Sequence, residues 1–429
     1  MPTQYACAGV RSRATLALAL ALAACGPAAD GSADAETSPR PTPAAQPAPV
    51  LPGIDVVLRD GAGPLAGKRV GLITNHTGLT ADGRSTIDAL HAHPDVQLVA
   101  LFGPEHGLRG TAEAGEDVAS GRDERTGLPV HSLYGETNRP TAAMLADVDA
   151  LAFDIQDIGT RYYTYVWTMA LAMRSAAENG KDFIVLARPD PIGGALVQGN
   201  VLDTAYATFV GLHPVPMRHG MTAGEMAQLV NAEFGIGARL HVVPVDGWRR
   251  DVYYDDTGLP WVAPSPNMPT LESAIHYPGT CLFEGTNLSV GRGTPQAYQQ
   301  IGAPWLDAAG LASRLAARNI PGVRFEAVTF TPESPGDAKF GGLQVNGLRL
   351  HVTDRGTYDP TRTAVAALVE IRAAHADSLV FLERHFDRLA GTDALRRGIL
   401  DGQQPDALTA GWAAQLEAFM AKRARYLLY

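Results

Sequence analysis

Cysteine is scarce in this 429-residue chain, with three in all, at positions 7, 25 and 281. So few thiols cannot staple a disulfide scaffold. Long apolar stretches are missing too. The Leu/Ala run Thr15 to Ala24 spans only about ten residues, whereas a membrane-crossing helix needs about 20. Positive charge is in deficit, 35 Lys and Arg against 45 Asp and Glu, with no basic cluster, which argues against nucleic acid as a partner. There is no Gly-rich phosphate loop ending in Lys and Ser or Thr, no His-Glu-x-x-His pair and no Gly-x-Ser-x-Gly elbow. The Gly61-Ala62-Gly63-Pro64 stretch precedes an apolar strand instead of following one and carries a proline, so it is no dinucleotide loop.

The short apolar run has its own meaning. It follows Arg11 and Arg13 and ends in Leu22-Ala23-Ala24-Cys25, the layout of a signal peptide with a lipobox-like cleavage site. Residues 1–24 are therefore expected to be removed and Cys25 to carry lipid. The result would be an exported protein held to a membrane by its anchor alone, facing the periplasm or cell envelope. An ordinary signal peptide with an incidental Cys is the alternative. Cys281 is then the sole remaining thiol and is expected to be a small buried residue. Residues 25–52 are rich in Ala and Pro, including Pro39, Pro41, Pro43, Pro47 and Pro49, and read as a tether.

The remainder is too long for one small core and suggests two domains, 53–277 and 278–429. In the first, Val70–Thr74, Val96–Phe102, Ala150–Asp154 and Phe183–Ala187 are nearly continuous apolar runs, as in strands buried on both faces. Helical patterns alternate with them: Ser85–His91, Trp167–Asn179 ending at Gly180, and a helix opened by a capping box at Thr222 and Glu225. This order predicts a doubly wound α/β domain. In the second, Leu348, Leu350 and Val352 alternate with polar residues, as in an antiparallel strand, with Asn346-Gly347 before it as a tight-turn signal. Helices are expected at 361–375 and in the last twenty residues, giving a smaller α+β domain.

Each apolar run of the first domain leads into polar residues: Asn75-His76-Thr77, Glu105-His106, Asp154 with Gln156, Asp157 and Arg161, and Arg188 with Asp190. Ligands of open α/β sheets bind outside the carboxyl ends of the strands. That edge is the candidate active site.

Longer strings sharpen the reading. They are Phe102-Gly103-Pro104-Glu105-His106-Gly107, Ser132-Leu133-Tyr134-Gly135, Phe153 to Gly159, Arg161-Tyr162-Tyr163-Thr164-Tyr165, Arg188 to Gly194, His219-Gly220-Met221-Thr222, Pro264 to Thr270, and Glu284-Gly285-Thr286-Asn287 leading to Gly291-Arg292-Gly293-Thr294. Together they closely resemble the NamZ-type exo-β-N-acetylmuramidases, from about Val70 to at least Trp305. The resemblance implies a Rossmann-like N-terminal domain, a smaller C-terminal domain completing a cleft, and release of N-acetylmuramic acid from the non-reducing end of peptidoglycan fragments. It implies no cofactor. Asp190 stands where the resemblance leads one to expect Asn, and the tether is longer than usual.

Glycoside hydrolysis usually needs one carboxylic acid as proton donor and a second carboxylate as base or nucleophile. Glu105 is the candidate acid, with a helix cap or an Arg partner as its plain structural reading. Asp154, Asp157 and Glu284 compete for the second role, Asp154 first. His76 and His106 would orient carboxylates or bond hydroxyls. The lactyl carboxylate of muramic acid calls for a cation, Arg292 first and Arg161 second. Asn75, Tyr163, Arg188 and Asn267 complete the expected substrate-binding set. Two rival readings are a ligand-binding lipoprotein and a metal-dependent hydrolase built on His76, His106, Asp154 and Asp157.

Overall fold

The computed structural model describes residues 49–110, 112 and 115–429, all within one compact unit. The expected signal peptide, Cys25 and the expected tether as far as residue 48 lie outside the described residues. Val50 is buried and Leu51 pairs with Asp246, so the folded body begins slightly ahead of the expected start at residue 53.

The strands are, in chain order, β1 (Arg69–Thr74), β2 (Gln97–Gly103), β3 (Gly121–Arg122), β4 (Pro129–Ser132), β5 (Ala150–Asp154), β6 (Asp182–Leu186), β7 (Gln198–Val201), β8 (Pro216–Arg218), β9 (Arg239–Val243), β10 (Gln300–Ala303), β11 (Val323–Phe330) and β12 (Val345–Val352). Seven form one sheet in the order β3-β4-β2-β1-β5-β6-β9, parallel except for the short edge strand β3. The expected doubly wound α/β architecture is present, with the order reversing between β1 and β5. Continuous apolar runs were needed because both faces are covered. Val70, Leu72, Ala152, Ile184 and Leu186 pack into one core, while Ile73, Leu151, Phe153, Phe183 and Val185 pack into another on the opposite face.

Local signals hold at the helices beside the site. Ser85 caps Thr86–His91, Tyr165–Glu178 stops at Asn179 and left-handed Gly180, and both arms of the Thr222/Glu225 capping box form.

The C-terminal part carries the antiparallel sheet β10-β12-β11. Here one expectation fails. Asn346 and Gly347 are not a turn but lie within β12, opposite Thr329 and Val328 of β11. A Cβ on Gly347 would sit 2.5 Å from the Phe330 ring, so this glycine serves close packing. The boundary expected at 277/278 falls inside the helix Leu271–Thr280. That helix packs on Pro360–Ala374 so closely that a Cβ on Gly279 would lie 1.9 Å from the Pro360 carbonyl. The core on this face also runs on without a break, from Phe153 to Leu348 and Phe386.

Candidate active site

Beyond β2 the chain turns sharply. The Gly107 amide donates to the Pro104 carbonyl, and His106 and Gly107 both adopt left-handed backbone, φ 70° and 72°. A non-glycine residue held there stores about 1–3 kcal/mol of strain, a feature concentrated at functional sites. The turn presents Glu105, only 8% exposed, to a cleft of about 340 Å³. Oε2 of Glu105 accepts from the Thr164 hydroxyl at 2.6 Å, and Oε1 accepts from the Gly115 amide at 3.1 Å. Tyr134 also bonds Glu105, and burial together with that carboxylate pushes its phenol pKa up. His106 Nδ1 donates to the Ala112 carbonyl at 2.6 Å.

The facing material comes from the C-terminal part. Glu284, Arg292, Tyr277, Tyr298, His385 and Arg388 line the same cleft. Oε1 of Glu284 accepts from Arg292 Nε (2.8 Å) and Nη2 (2.5 Å) and from the Tyr298 hydroxyl (2.6 Å). Burial works against its charge, yet the Arg292 guanidinium and the Tyr298 hydroxyl hold Glu284 below the usual carboxylate range. Arg292 is placed by a loop that only glycine permits: Gly293 is left-handed, and a Cβ there would meet the Glu333 carbonyl oxygen at 2.4 Å. Cys281 is buried, as expected, with Sγ 3.7 Å from Glu284 Oε2.

The expected residues thus divide. Glu105, His106, Tyr163, Asn267, Glu284 and Arg292 line the cleft; Asn75, His76, Asp154, Asp157, Arg161 and Arg188 do not. Asp154, first choice for the second carboxylate, is fully buried. Arg188 grips both its oxygens at 2.6 and 2.9 Å and Thr86 adds a hydroxyl, so three of its roughly four acceptor sites are taken and the group does not line the cleft. Arg188 is spent in the same pair. Arg161, 0% exposed, is no anion reader either. Its guanidinium donates to the carbonyls of Asn200, Val215, Leu389 and Ala390 at 2.9–3.1 Å, and burial lowers its pKa to about 10. Asn75 closes a local turn by accepting from the Thr77 amide and hydroxyl. His76 Nε2 donates to the Ala263 carbonyl at 2.7 Å. Of the three tyrosines, Tyr162 and Tyr165 spend their hydroxyls on the Pro278 and Pro264 carbonyls, and Tyr163 packs edge-on against Tyr165 and Tyr277.

Asp157 belongs to a separate buried cluster. Burial raises its pKa to about 8 and that of Asp190 to about 7, while His219, 4.0 Å from Asp157, is lowered to about 3 by burial and neighbouring arginines. The four residues of the metal reading do not converge, and among the described residues no group of three or more His, Cys, Asp or Glu could hold a metal ion. Sequence reasoning assigned no role to Tyr134, Thr164, Tyr298, His385 or Arg388. The first three lay in or beside quoted strings; His385 and Arg388 carried no local signal, being ordinary residues of the amphipathic helix Glu383–Ala390.

Two carboxyl groups face one cleft at the carboxyl edge of an α/β sheet, one bonded by hydroxyl and amide donors, the other held ionised by an arginine. This is the equipment of a glycoside hydrolase. The chain belongs to the exo-β-N-acetylmuramidase NamZ family: its N-terminal and C-terminal family models match residues 70–272 and 275–429. It is 47% identical over 378 residues to the peptidoglycan β-N-acetylmuramidase NamZ of Bacillus subtilis (strain 168), covering 88% of this chain and 91% of that protein. Two crystal structures of DUF1343 family proteins from Bacteroides fragilis NCTC 9343 share the fold, with TM-scores of 0.82 and 0.72 at 38% and 32% identity. Each match covers 89% of this chain and 99% of the other.

Proposed function

We propose that this protein is an exo-acting β-N-acetylmuramidase that releases N-acetylmuramic acid from the non-reducing end of peptidoglycan fragments, with Glu105 as general acid. The carrying observation is that Glu105 and Glu284, from the regions matched by the N-terminal and C-terminal family models, line one cleft. Thr164, Gly115 and Tyr134 hold Glu105 in place at the cleft wall, with no arginine or lysine partner among the described residues. Glu284 is held ionised, the state required of a base, a nucleophile or a stabiliser of the oxocarbenium-like transition state. Asn267, His106 and Tyr163 supply polar and aromatic wall for the sugar. The test is turnover of a chromogenic aryl N-acetylmuramide by the purified protein. Binding without turnover would favour a ligand-binding protein instead.

The same reading extends to location. A lipid on Cys25 and the Pro-rich segment after it would hold the catalytic unit to a membrane of the cell envelope. Cys25→Ala should release the protein from membranes with unchanged kcat on small substrates, read by fractionation and assay. Membrane retention of that variant would sink the anchor.

A further inference from the structure

Muramic acid differs from glucosamine by a lactyl ether ending in a carboxylate. If the cleft selects muramides, some cation in it must read that acid. The obvious one, Arg292, is already paired: its Nε and Nη2 donate to Glu284 Oε1, so its charge is offset by that carboxylate. Arg161 is sealed under the surface. One cleft-lining arginine differs from both. Arg388 is exposed and has no carboxylate partner among the described residues; its one hydrogen bond runs from Nη2 to His385 Nδ1 at 2.6 Å.

The surroundings keep that charge uncompensated. His385 is lowered to about 4 by burial and by Arg388, so at neutral pH it accepts from the guanidinium without adding or cancelling charge. Arg384 lies one turn earlier on the same helix, also exposed and without an ion pair among the described residues. A second depression of about 450 Å³, lined by Arg384, His385, Arg388, Tyr206 and Asp387, the last already paired with Arg396, adjoins the cleft through Thr208, His385 and Arg388. Two unpaired arginines at i and i+4 on one helix make a positive shelf beside the acid. Arg388 also acts electrostatically on Tyr134, which bonds Glu105, so the shelf and the reacting edge are neighbours.

The helix is well fixed for such a task. Its last carbonyls, Leu389 and Ala390, accept from buried Arg161, and Asp387 is gripped by Arg396 at 2.9 and 2.8 Å. A site set on a locked helix holds its geometry better than one on a loop.

We propose that Arg388, supported by Arg384, is the specificity-determining cation that binds the lactyl carboxylate of the substrate. This rests on the muramidase reading and names the group that confers its selectivity. The bond is charge-assisted and matches the arginine fork to a carboxylate.

The experiment uses three aryl glycosides: the N-acetylmuramide, its lactyl methyl ester and the N-acetylglucosaminide. For the unaltered protein, kcat/KM should favour the free acid over the ester by about ten- to a hundredfold, the worth of one charged hydrogen bond. Arg388→Ala and Arg388→Gln should collapse that ratio toward one while turnover of the ester stays within a few-fold. Arg384→Ala should reduce it by a smaller factor. Retention of the full acid-to-ester ratio in both Arg388 variants would overturn the proposal. Since Arg388 is exposed, neither substitution empties a core position. A binding titration separates the two layers of the argument. Tighter binding of free N-acetylmuramic acid than of N-acetylglucosamine, lost in Arg388→Ala, would uphold the site even if no glycoside were turned over. Equal binding of the two sugars by the unaltered protein would sink it.

Discussion

The two sides of the cleft use similar residues to opposite ends. On the sheet side, the polar groups at the ends of β1, β5 and β6 are turned inward onto protein partners: Asp154 onto Arg188 and Thr86, Asn75 onto Thr77, Arg161 onto four carbonyls. On the C-terminal side, Arg388 and Arg384 have no carboxylate partner among the described residues, and Glu284 stays ionised at the cleft wall. A cluster of polar residues at a strand end is therefore only half a signal. What marks a working group is a free valence facing a space large enough for substrate. The cluster at the β1/β5 reversal, where a ligand crevice is the usual expectation for such sheets, is an internal clamp here.

The comparison can be broken most forcefully at the clamp. Asp154→Ala leaves Arg188 buried and uncompensated, and removing one member of a buried pair typically destabilises by about 3–5 kcal/mol. Denaturant unfolding should show that loss, with kcat per folded molecule largely kept. Normal stability with abolished turnover would return Asp154 to the reacting set.

Next comes Glu105→Gln, which keeps the shape and removes the proton. A general acid should lose at least about 10²-fold in kcat, with less loss on an activated aryl leaving group than on a natural disaccharide. Wild-type turnover in a folded variant would remove Glu105 from the mechanism.

Arg292→Lys should sharpen the division of labour between the arginines. Lysine cannot reproduce the two donors on Glu284 Oε1, so kcat should fall on the free acid and on its methyl ester alike. A loss confined to the free acid would make Arg292 the anion reader after all.

A pH-dependent effect is expected at the buried carboxylates behind the clamp. Burial raises Asp190 to about 7, so the folded protein keeps a proton that the unfolded chain releases near pH 4. That contribution to stability is present below about pH 4 and is lost as pH rises toward 7. Asp190→Asn removes it, so the variant should gain stability over the parent at pH 8 and lose that advantage at pH 5. Equal Tm differences at both pH values would show that Asp190 is already ionised in the folded state.

Much of the fold was legible because its causes are local. The apolar runs at β1, β2, β5 and β6, the cap at Ser85 and the box at Thr222 and Glu225 each act within a few residues. Glu105 could be picked out because a strand-end turn and its string are contiguous. Asn346-Gly347 misled for the converse reason: a dipeptide that favours turns was placed in a strand by the Phe330 ring across the sheet.

By itself, then, the sequence determined the family, the parallel sheet and the place of Glu105 at its edge, since these rest on short-range periodicity and on contiguous strings. Which polar groups are spent and which are free was decided only by tertiary structure. Arg161 meets Leu389 and Ala390 across 228 and 229 positions of chain, and those bonds turn an expected substrate ligand into the staple of the helix that carries Arg388. No local pattern encodes such a meeting. It follows from the packing of the C-terminal helices over the sheet edge, where burial forces each charge to find a partner or to face the cleft.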